Sequence, residues 1–589
     1  MQRVRNEFSP ETDCESVIVL LRTMLPAPRN PFAMLRFLIF LILRQSAGSG
    51  IIPPAWTLEA PRALAALSRD RLTASVTHRD RGRLHSVLKR LIAGEPLEYA
   101  VVGGSISAGS TLGLHRRLGM FLWHGRFLQW LNATFPHPGH RRVNGAVPAS
   151  TPAYVDGCLS FHVPSTAQLI FVEYSVNSPE PREYERLLRR LLRYPQRPPI
   201  VLLHMFKFWP KDKMRGFDYT KNYVDASDLE FPYAAPVEEA ATAMARWYEG
   251  VSSISMRGAL FEVVKRNETE GLRMRDLMLD RIHPSDTGQL VAARLVSNYF
   301  EESILQIKDG GAPDQAVSYP AEGGMGFMPI SLRDPYFKHN ADDAFSSTVV
   351  CVRGHDMLKH ALRMDGWRFV IEGSAGNPKP GLRADAAGSR LDLCWRPEPR
   401  DFDRAVAFKL GYLKTYSREF GPARLSCSGI CHCTSTALSG GASGKPKRVN
   451  GRDRTSLHHV ENVVLHPTVA LGGNGSVLRQ GRGVRRRVLT GGRRAGGATR
   501  RGLSNQTMKP DDQPSSLSSS TRVFTRGVAA PASAGDTTSC CIVTVRTLSR
   551  SLTSAVENTS FKVLSFFVGK GAAGTGRLHQ QSIVLADTM

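Results

Sequence analysis

Three short, mainly apolar runs mark the first half of the chain: Leu97–Val102, Leu169–Tyr174 and Ile200–Phe206. Runs of this length without alternation predict strands buried on both faces. Between them, Leu118–Leu131 and Tyr184–Tyr194 repeat Leu, Trp and Phe at helical spacing. Earlier, Arg62–Ile92 spaces Leu and Ala along a helix with many outward Arg, and Gly94 and Pro96 close it. Strands separated by helices predict an α/β domain, a parallel sheet covered on both faces. From about Ser318 the texture changes to short segments divided by turn residues, as in Gly373-Ser374-Ala375-Gly376-Asn377-Pro378. Alternation in Trp367-Arg368-Phe369-Val370-Ile371 and Leu391-Asp392-Leu393-Cys394-Trp395 predicts half-buried strands and hence a C-terminal antiparallel β-sandwich.

Gly441–Ser520 interrupts that texture. It is rich in Gly, Arg and Ser and holds no Phe, Tyr or Trp. Such a composition offers little apolar burial against the entropy of ordering, so the segment is expected to be a disordered basic insert. An unremoved intron would also produce it. Strand-like texture resumes at Thr521–Thr525, Cys541–Val545 and Phe561–Val568, which would complete the sandwich. The expected order is therefore an N-terminal extension over 1–48, a helical lead-in over 49–95 and an α/β domain over 96–305. The sandwich follows over 306–440, then the insert over 441–520, completing strands over 521–572 and a tail over 573–589.

The 589 residues suffice for two to four domains, and 42% apolar content marks a globular chain. Lys and Arg number 77 against 52 Asp and Glu, a net +25. The stretch 441–536 alone holds 17 basic and 5 acidic residues, so +12 of that charge sits in one sixth of the chain. Without aromatic interleaving, this local excess does not make a nucleic-acid partner, and none is expected. The apolar run Phe37–Leu43 is too short to span a bilayer. Preceded by Arg36 and followed by Ser46-Ala47-Gly48, it suits a signal-peptide core, more so if translation began at Met34. Entry to the secretory pathway is expected, with membrane association through this segment as an open alternative.

Chemistry concentrates at two points. Val101-Val102-Gly103-Gly104-Ser105-Ile106-Ser107 places a serine just after a buried strand, at the sheet end where α/β folds bind ligands. It is neither a Walker loop nor a Gly-x-Ser-x-Gly elbow. Far downstream, Asp280-Arg281-Ile282-His283-Pro284 sets an acid and an imidazole three residues apart. A serine nucleophile needs a base, and that base needs an acceptor to orient it.

Together these segments resemble the SGNH/GDSL hydrolase superfamily. Four short blocks carry the likeness in order: Gly103–Ser107, Val143-Asn144-Gly145-Ala146, Val172–Asn177 and Asp280–Pro284. The resemblance spans about His85–Gly440 and Thr521–Gly571, and looks closest to a plant and algal branch with an appended C-terminal β domain. It implies a three-layer, flavodoxin-like parallel sheet with Ser105 as nucleophile, His283 as base and Asp280 as its orienting acid. The oxyanion would be held by Ser105 and Gly145 amides and the Asn177 side chain. No metal and no cofactor are implied. Two positions depart from the pattern, with Gly104 and Ser178 standing where the family usually has Asp.

Nine cysteines are unevenly placed, with Cys427, Cys431 and Cys433 close together and Cys540-Cys541 adjacent. In an oxidising compartment the first group is expected to form disulfides with the second, in preference to a zinc site or free thiols. The expected activity is ester hydrolysis through an acyl-serine, on acylated carbohydrate or lipid esters. Its alternatives are O-acyl transfer to glycans and a catalytically weak glycan- or cell-surface-binding protein on the same scaffold. The substrate partner is then a small-molecule or glycan ester.

Overall fold

The computed structural model describes residues 61–80, 82–110, 120–177, 180–205, 209–210, 229–230, 234–266, 269, 271–279, 282–309, 334–340, 349–374, 377–397, 406–414, 420–439, 457–467, 540–548 and 560–569. The segments Phe37–Leu43 and Thr521–Thr525 lie outside them. Among the described residues, no helix is long and apolar enough to cross a membrane.

The first region is built on six strands: β1 (Val76–His78), β2 (Glu98–Gly103), β3 (Arg141–Asn144), β4 (Leu169–Glu173), β5 (Ile200–His204) and β8 (Val251–Ser255). A two-residue ladder, β6 (Trp209–Pro210) with β7 (Leu229–Glu230), stands apart. The sheet order is β1-β8-β5-β4-β2-β3, parallel throughout except at β1, which runs antiparallel to β8. The expected all-parallel sheet is thus corrected to a mixed one. The lead-in over 49–95 is not separate either, since it supplies β1 together with the helices α1 (Pro61–Ala65), α2 (Arg69–Ala74) and α3 (Gly82–Ile92). A three-residue edge strand can reverse direction because only one neighbour constrains it.

Successive strand residues face opposite sides, and both sides are covered. Tyr99, Val101, Leu169, Phe171, Val201 and Leu203 join one apolar cluster. Ala100, Val102, Ile170, Val172, Ile200 and Leu202 join another. The first cluster is closed by α5 (Trp123–Thr134), α10 (Met256–Arg266), α11 (Met274–Leu277) and α12 (Asp286–Lys308). The second is closed by α6 (Pro152–Gly157), α7 (Leu159–His162), α8 (Pro181–Leu192) and α9 (Ala234–Trp247). Between β2 and α5 sits the single-turn helix α4 (Ser105–Ala108). The three strand runs and the helix runs Leu118–Leu131 and Tyr184–Tyr194 fall on these elements, displaced by a few residues at their ends, whereas Arg62–Ile92, expected as one helix, is divided into α1, α2, β1 and α3.

The second region contains β9 (Val349–Arg353), β10 (Ala361–Asp365), β11 (Trp367–Ser374), β12 (Asn377–Ala384), β13 (Arg390–Trp395), β14 (Val406–Lys414) and β15 (Pro422–Gly429). It continues with β16 (Cys431–His432), β17 (Thr436–Ser439), β18 (Leu457–Pro467), β19 (Cys541–Thr547) and β20 (Phe561–Gly569). One sheet runs β10-β13-β19-β15-β17, the other β11-β12-β20-β14-β18-β16 with β9 also on β20, all antiparallel. Leu391, Leu393, Leu425 and Val543 of the first share a core with Leu382, Phe408, Leu410 and Val563 of the second. The late strands β19 and β20 each lie between two earlier strands.

The stretch 441–520 departs from the expected disordered insert at β18. Its Leu457-His458-His459-Val460-Glu461-Asn462-Val463-Val464-Leu465 run pairs with all of Val406–Lys414, and Leu465 is fully buried. The average composition of the segment concealed eleven strand-forming residues, because burial is decided over single strands, not over eighty-residue windows. The rest of 441–520 lies outside the described residues.

Among the described residues, eight cysteines form four disulfides: Cys158–Cys351, Cys394–Cys540, Cys427–Cys433 and Cys431–Cys541. Of the expected pairings between the two cysteine groups, Cys431–Cys541 occurs. Cys427 and Cys433 instead join each other across six residues, and Cys540 takes Cys394 on the neighbouring strand. Cys158–Cys351 ties the helical layer of the first region to β9 of the second. Close by, Arg353 Nη1 donates to Tyr154 Oη at 3.3 Å. The buried Lys409 ammonium lies 3.7 Å from Asp156.

Candidate active site

Strand β2 carries Gly103 and Gly104 to the carboxyl edge of the sheet, where the chain turns into α4. Gly104 caps that helix with non-helical backbone, so Ser105 is its first residue. Gly109, at φ 68°, ends it, with Gly109 N–H donating to Ile106 O and Ser110 N–H to Ser105 O. The first amide of a helix has no intrahelical acceptor. Among the described residues no backbone acceptor takes the Ser105 N–H.

Ser105 and His283 meet although 178 residues separate them: His283 Nε2 lies 2.8 Å from Ser105 Oγ. The imidazole is held by a short reversal of the chain. Leu279 N–H donates to His283 O and Ser285 N–H to Leu277 O, each at 2.8 Å. Ser285 Oγ then accepts from Gly288 N–H at 3.2 Å and caps α12. His283 is 9% exposed and Ser105 half-buried. Asp280 lies outside the described residues.

Asn177 follows β4 and turns its amide against the serine turn. A Cβ on Gly104 would lie 2.6 Å from Asn177 Nδ2, inside contact distance. A side chain at position 104 would therefore have to move the Asn177 amide from where it lies. Asn177 Nδ2 donates to Ser150 O at 3.3 Å, and the residue is half-buried, not in the core.

Gly145 is a correction. Its N–H donates to Val101 O at 2.9 Å, extending the β2–β3 ladder, so that amide is committed inside the sheet. Glycine is required there for space, since a Cβ would lie 2.1 Å from His162 O. Four residues on, Ala149 takes φ 60°, a conformation uncommon without glycine. No described backbone acceptor takes its N–H. Its neighbour Ser150 supplies the carbonyl that Asn177 holds. Among the described residues the Ala149 amide is thus without a backbone acceptor, whereas the Gly145 amide is taken by Val101 O. The sequence held little sign of it, because alanine after Pro148 reads as an ordinary loop residue.

Behind the turn lies a buried polar group that sequence reading assigned no role. Ser107 Oγ donates to Glu173 Oε2 at 3.0 Å and accepts from Trp123 Nε1 at 3.1 Å. Gly104 N–H donates to Glu173 O at 3.3 Å. Ser107 O accepts from Asn144 Nδ2 at 3.2 Å and faces His124 Nε2 at 2.9 Å. Gln289 Oε1 accepts from Trp123 N–H at 2.9 Å, tying α12 to α5. Burial pushes the Glu173 carboxyl up to about 8 and the His124 imidazole down to about 3, so both are neutral near pH 7. The available signal was an acid closing the otherwise apolar strand Leu169-Ile170-Phe171-Val172-Glu173. Among the described residues, no three His, Cys, Asp or Glu side chains gather as metal ligands.

No protein-family model and no curated protein matches the chain. Among solved structures, a two-domain esterase (CEX) active on acetylated mannans aligns at 15% identity and TM-score 0.50, over 85% of this chain and 99% of that one. The same two-domain esterase co-crystallised with mannopentaose gives 16% identity and TM-score 0.49 over the same shares. A protein from Lactobacillus plantarum aligns at 16% identity and TM-score 0.25, over 35% of this chain and 97% of that one. The likeness concerns fold: a mixed α/β sheet with helices, joined to separate antiparallel sheets, is also the layout of a two-domain esterase.

Proposed function

We propose that the chain is a serine ester hydrolase of SGNH type, working through an acyl-serine intermediate on acylated carbohydrate. The observation that carries this reading is the 2.8 Å approach of His283 Nε2 to Ser105 Oγ at the carboxyl end of a mostly parallel sheet. As Ser105 Oγ attacks the ester carbonyl carbon, His283 Nε2 takes its proton. The tetrahedral oxyanion that forms accepts hydrogen bonds from the Ser105 and Ala149 amides and from Asn177 Nδ2. Collapse breaks the bond to the alcohol oxygen, which receives the proton from His283. A water molecule, deprotonated by the same imidazole, then attacks the acyl carbon, releases the acid and restores Ser105. Asp280, three residues before His283, is the acceptor for Nδ1–H in this scheme.

Acetylated mannan is the first polymer to assay, because the fold is shared with an esterase active on acetylated mannans. Four disulfides favour an oxidising compartment and hence export through the secretory pathway. Fluorophosphonate labelling of the full chain, with Ser105→Ala and His283→Ala as controls, tests the nucleophile. An aryl-ester panel and acetylated mannan then test the substrate class. Acetate released to water supports hydrolysis, and acetyl recovered on an added glycan makes the protein an acyltransferase. A folded protein that neither labels nor turns over any ester refutes the enzyme.

A further inference from the structure

The turn that carries Ser105 rests on a carboxyl group that the hydrolytic scheme does not use. Glu173 ends β4 directly opposite Gly103 of β2, and both it and Ser107 are fully buried. Its Oε2 takes the Ser107 hydroxyl proton, whose oxygen is in turn held by Trp123 Nε1. Its main-chain carbonyl takes the Gly104 amide. One side chain and its own backbone therefore grip residues immediately before and two after the nucleophile. Its Oε1 has no hydrogen-bond partner among the described residues. Enclosing an acid in this way is costly, and an apolar residue of similar size would fill the space without the penalty. We infer that Glu173 is a positioning residue for Ser105, holding the Gly104–Ser107 turn so that the serine hydroxyl and amide face the substrate together.

This role rests on the ester-hydrolase reading and sharpens it. The positioning form is the neutral acid, which burial favours by raising the carboxyl to about 8. An oxyanion developing at the Ser105 amide would be opposed by a second negative charge enclosed behind the same turn. The titratable neighbours do not replace that proton. Tyr174, the residue after β4, and Tyr184 of α8 are themselves held above the ordinary tyrosine range by burial first and by Glu173 in addition. For Tyr174, the Ser150 hydrogen bond acts the other way. His124 of α5 is neutral, and Arg142 of β3 bears on Tyr99 and His124. His283 lies on the substrate side of the turn, bonded to Ser105. Activity should thus fall above about pH 8 as Glu173 ionises.

The test compares wild type with Glu173→Gln and Glu173→Leu in the full chain, reading fluorophosphonate labelling rates and aryl-acetate kcat and KM from pH 6 to 9.5. Glu173→Leu is expected to lose about tenfold or more in kcat and labelling rate, with KM changed less than about twofold. Glu173→Gln, which can still accept from Ser107, should recover most of that loss and show no alkaline fall near pH 8. Should the leucine variant fail to fold, the glutamine pH profile decides alone. An alkaline limb unchanged in Glu173→Gln, or a folded Glu173→Leu that labels at the wild-type rate, overturns the role of Glu173 and leaves the hydrolase standing. Folded wild type that does not label at any pH overturns both.

Discussion

The α/β region encloses two large apolar clusters, one on each face of its sheet, and contributes a single cysteine, Cys158, to the disulfides. The sandwich encloses one main cluster and contributes the other seven bonded cysteines. The contrast follows from how each sheet is assembled. In the α/β region a strand and the next are joined through helices that bury the same sheet, so local segments supply most of the core. In the sandwich, β19 and β20 must return from far along the chain to fill gaps between earlier strands, and loop-closure entropy opposes that return. Cys394–Cys540 and Cys431–Cys541 hold β19 at the point of re-entry. The Ser105–His283 pair sits in the α/β region.

That comparison can be broken most sharply at the site. Ser105→Ala or His283→Ala should lower aryl-ester kcat by about 10⁴-fold or more while leaving the thermal melt within a degree or two, since neither belongs to an apolar cluster. Removal of 441–520 should abolish soluble, correctly oxidised protein, because β18 and its nine residue pairs with β14 go with it. Removing only 468–520 should not. Survival of the larger deletion would show that β18 is dispensable.

Loss of a sandwich cross-link is the next largest effect. Cys394→Ser with Cys540→Ser opens a closure across 146 residues and should cost about 2–5 kcal/mol in reversible unfolding. Labelling of Ser105 at 25 °C should be retained, since the α/β clusters do not depend on that bond. A loss of labelling in step with the sandwich melt would show that the two regions unfold as one. Asn177→Ala should lower kcat by about 100-fold with little change in stability, the effect of removing one oxyanion donor. The smallest expected effect is at the boundary: Lys409→Met, which removes a buried cation, should change stability by no more than about 1–2 kcal/mol in either direction. Burial already pulls the Lys409 ammonium below its ordinary range, so it contributes less than its contact with Asp156 suggests.

Reading the chain without coordinates reached the elements whose information is local. Apolar runs such as Leu169–Tyr174 marked strands because burial on two faces leaves no room for polar alternation. The Gly103-Gly104-Ser105 turn was legible because glycines after a buried strand permit the tight backbone and close approach that side chains would block. The resemblance of four ordered blocks to a hydrolase family suggested that Ser105 and His283 belong together, but only folding brings Nε2 to Oγ across 178 residues. Gly145 and Ala149 show the limit most clearly. Whether an amide is free depends on its partner in space, and the ladder to Val101 consumes the one that the motif pointed to. Disulfide partners, the β18 strand and the reversed edge β1 were likewise tertiary decisions, each a choice among neighbours distant in sequence. Glu173 combines both levels: the residue type was visible as an acid ending an apolar strand, while its neutrality exists only because the folded core excludes water from it.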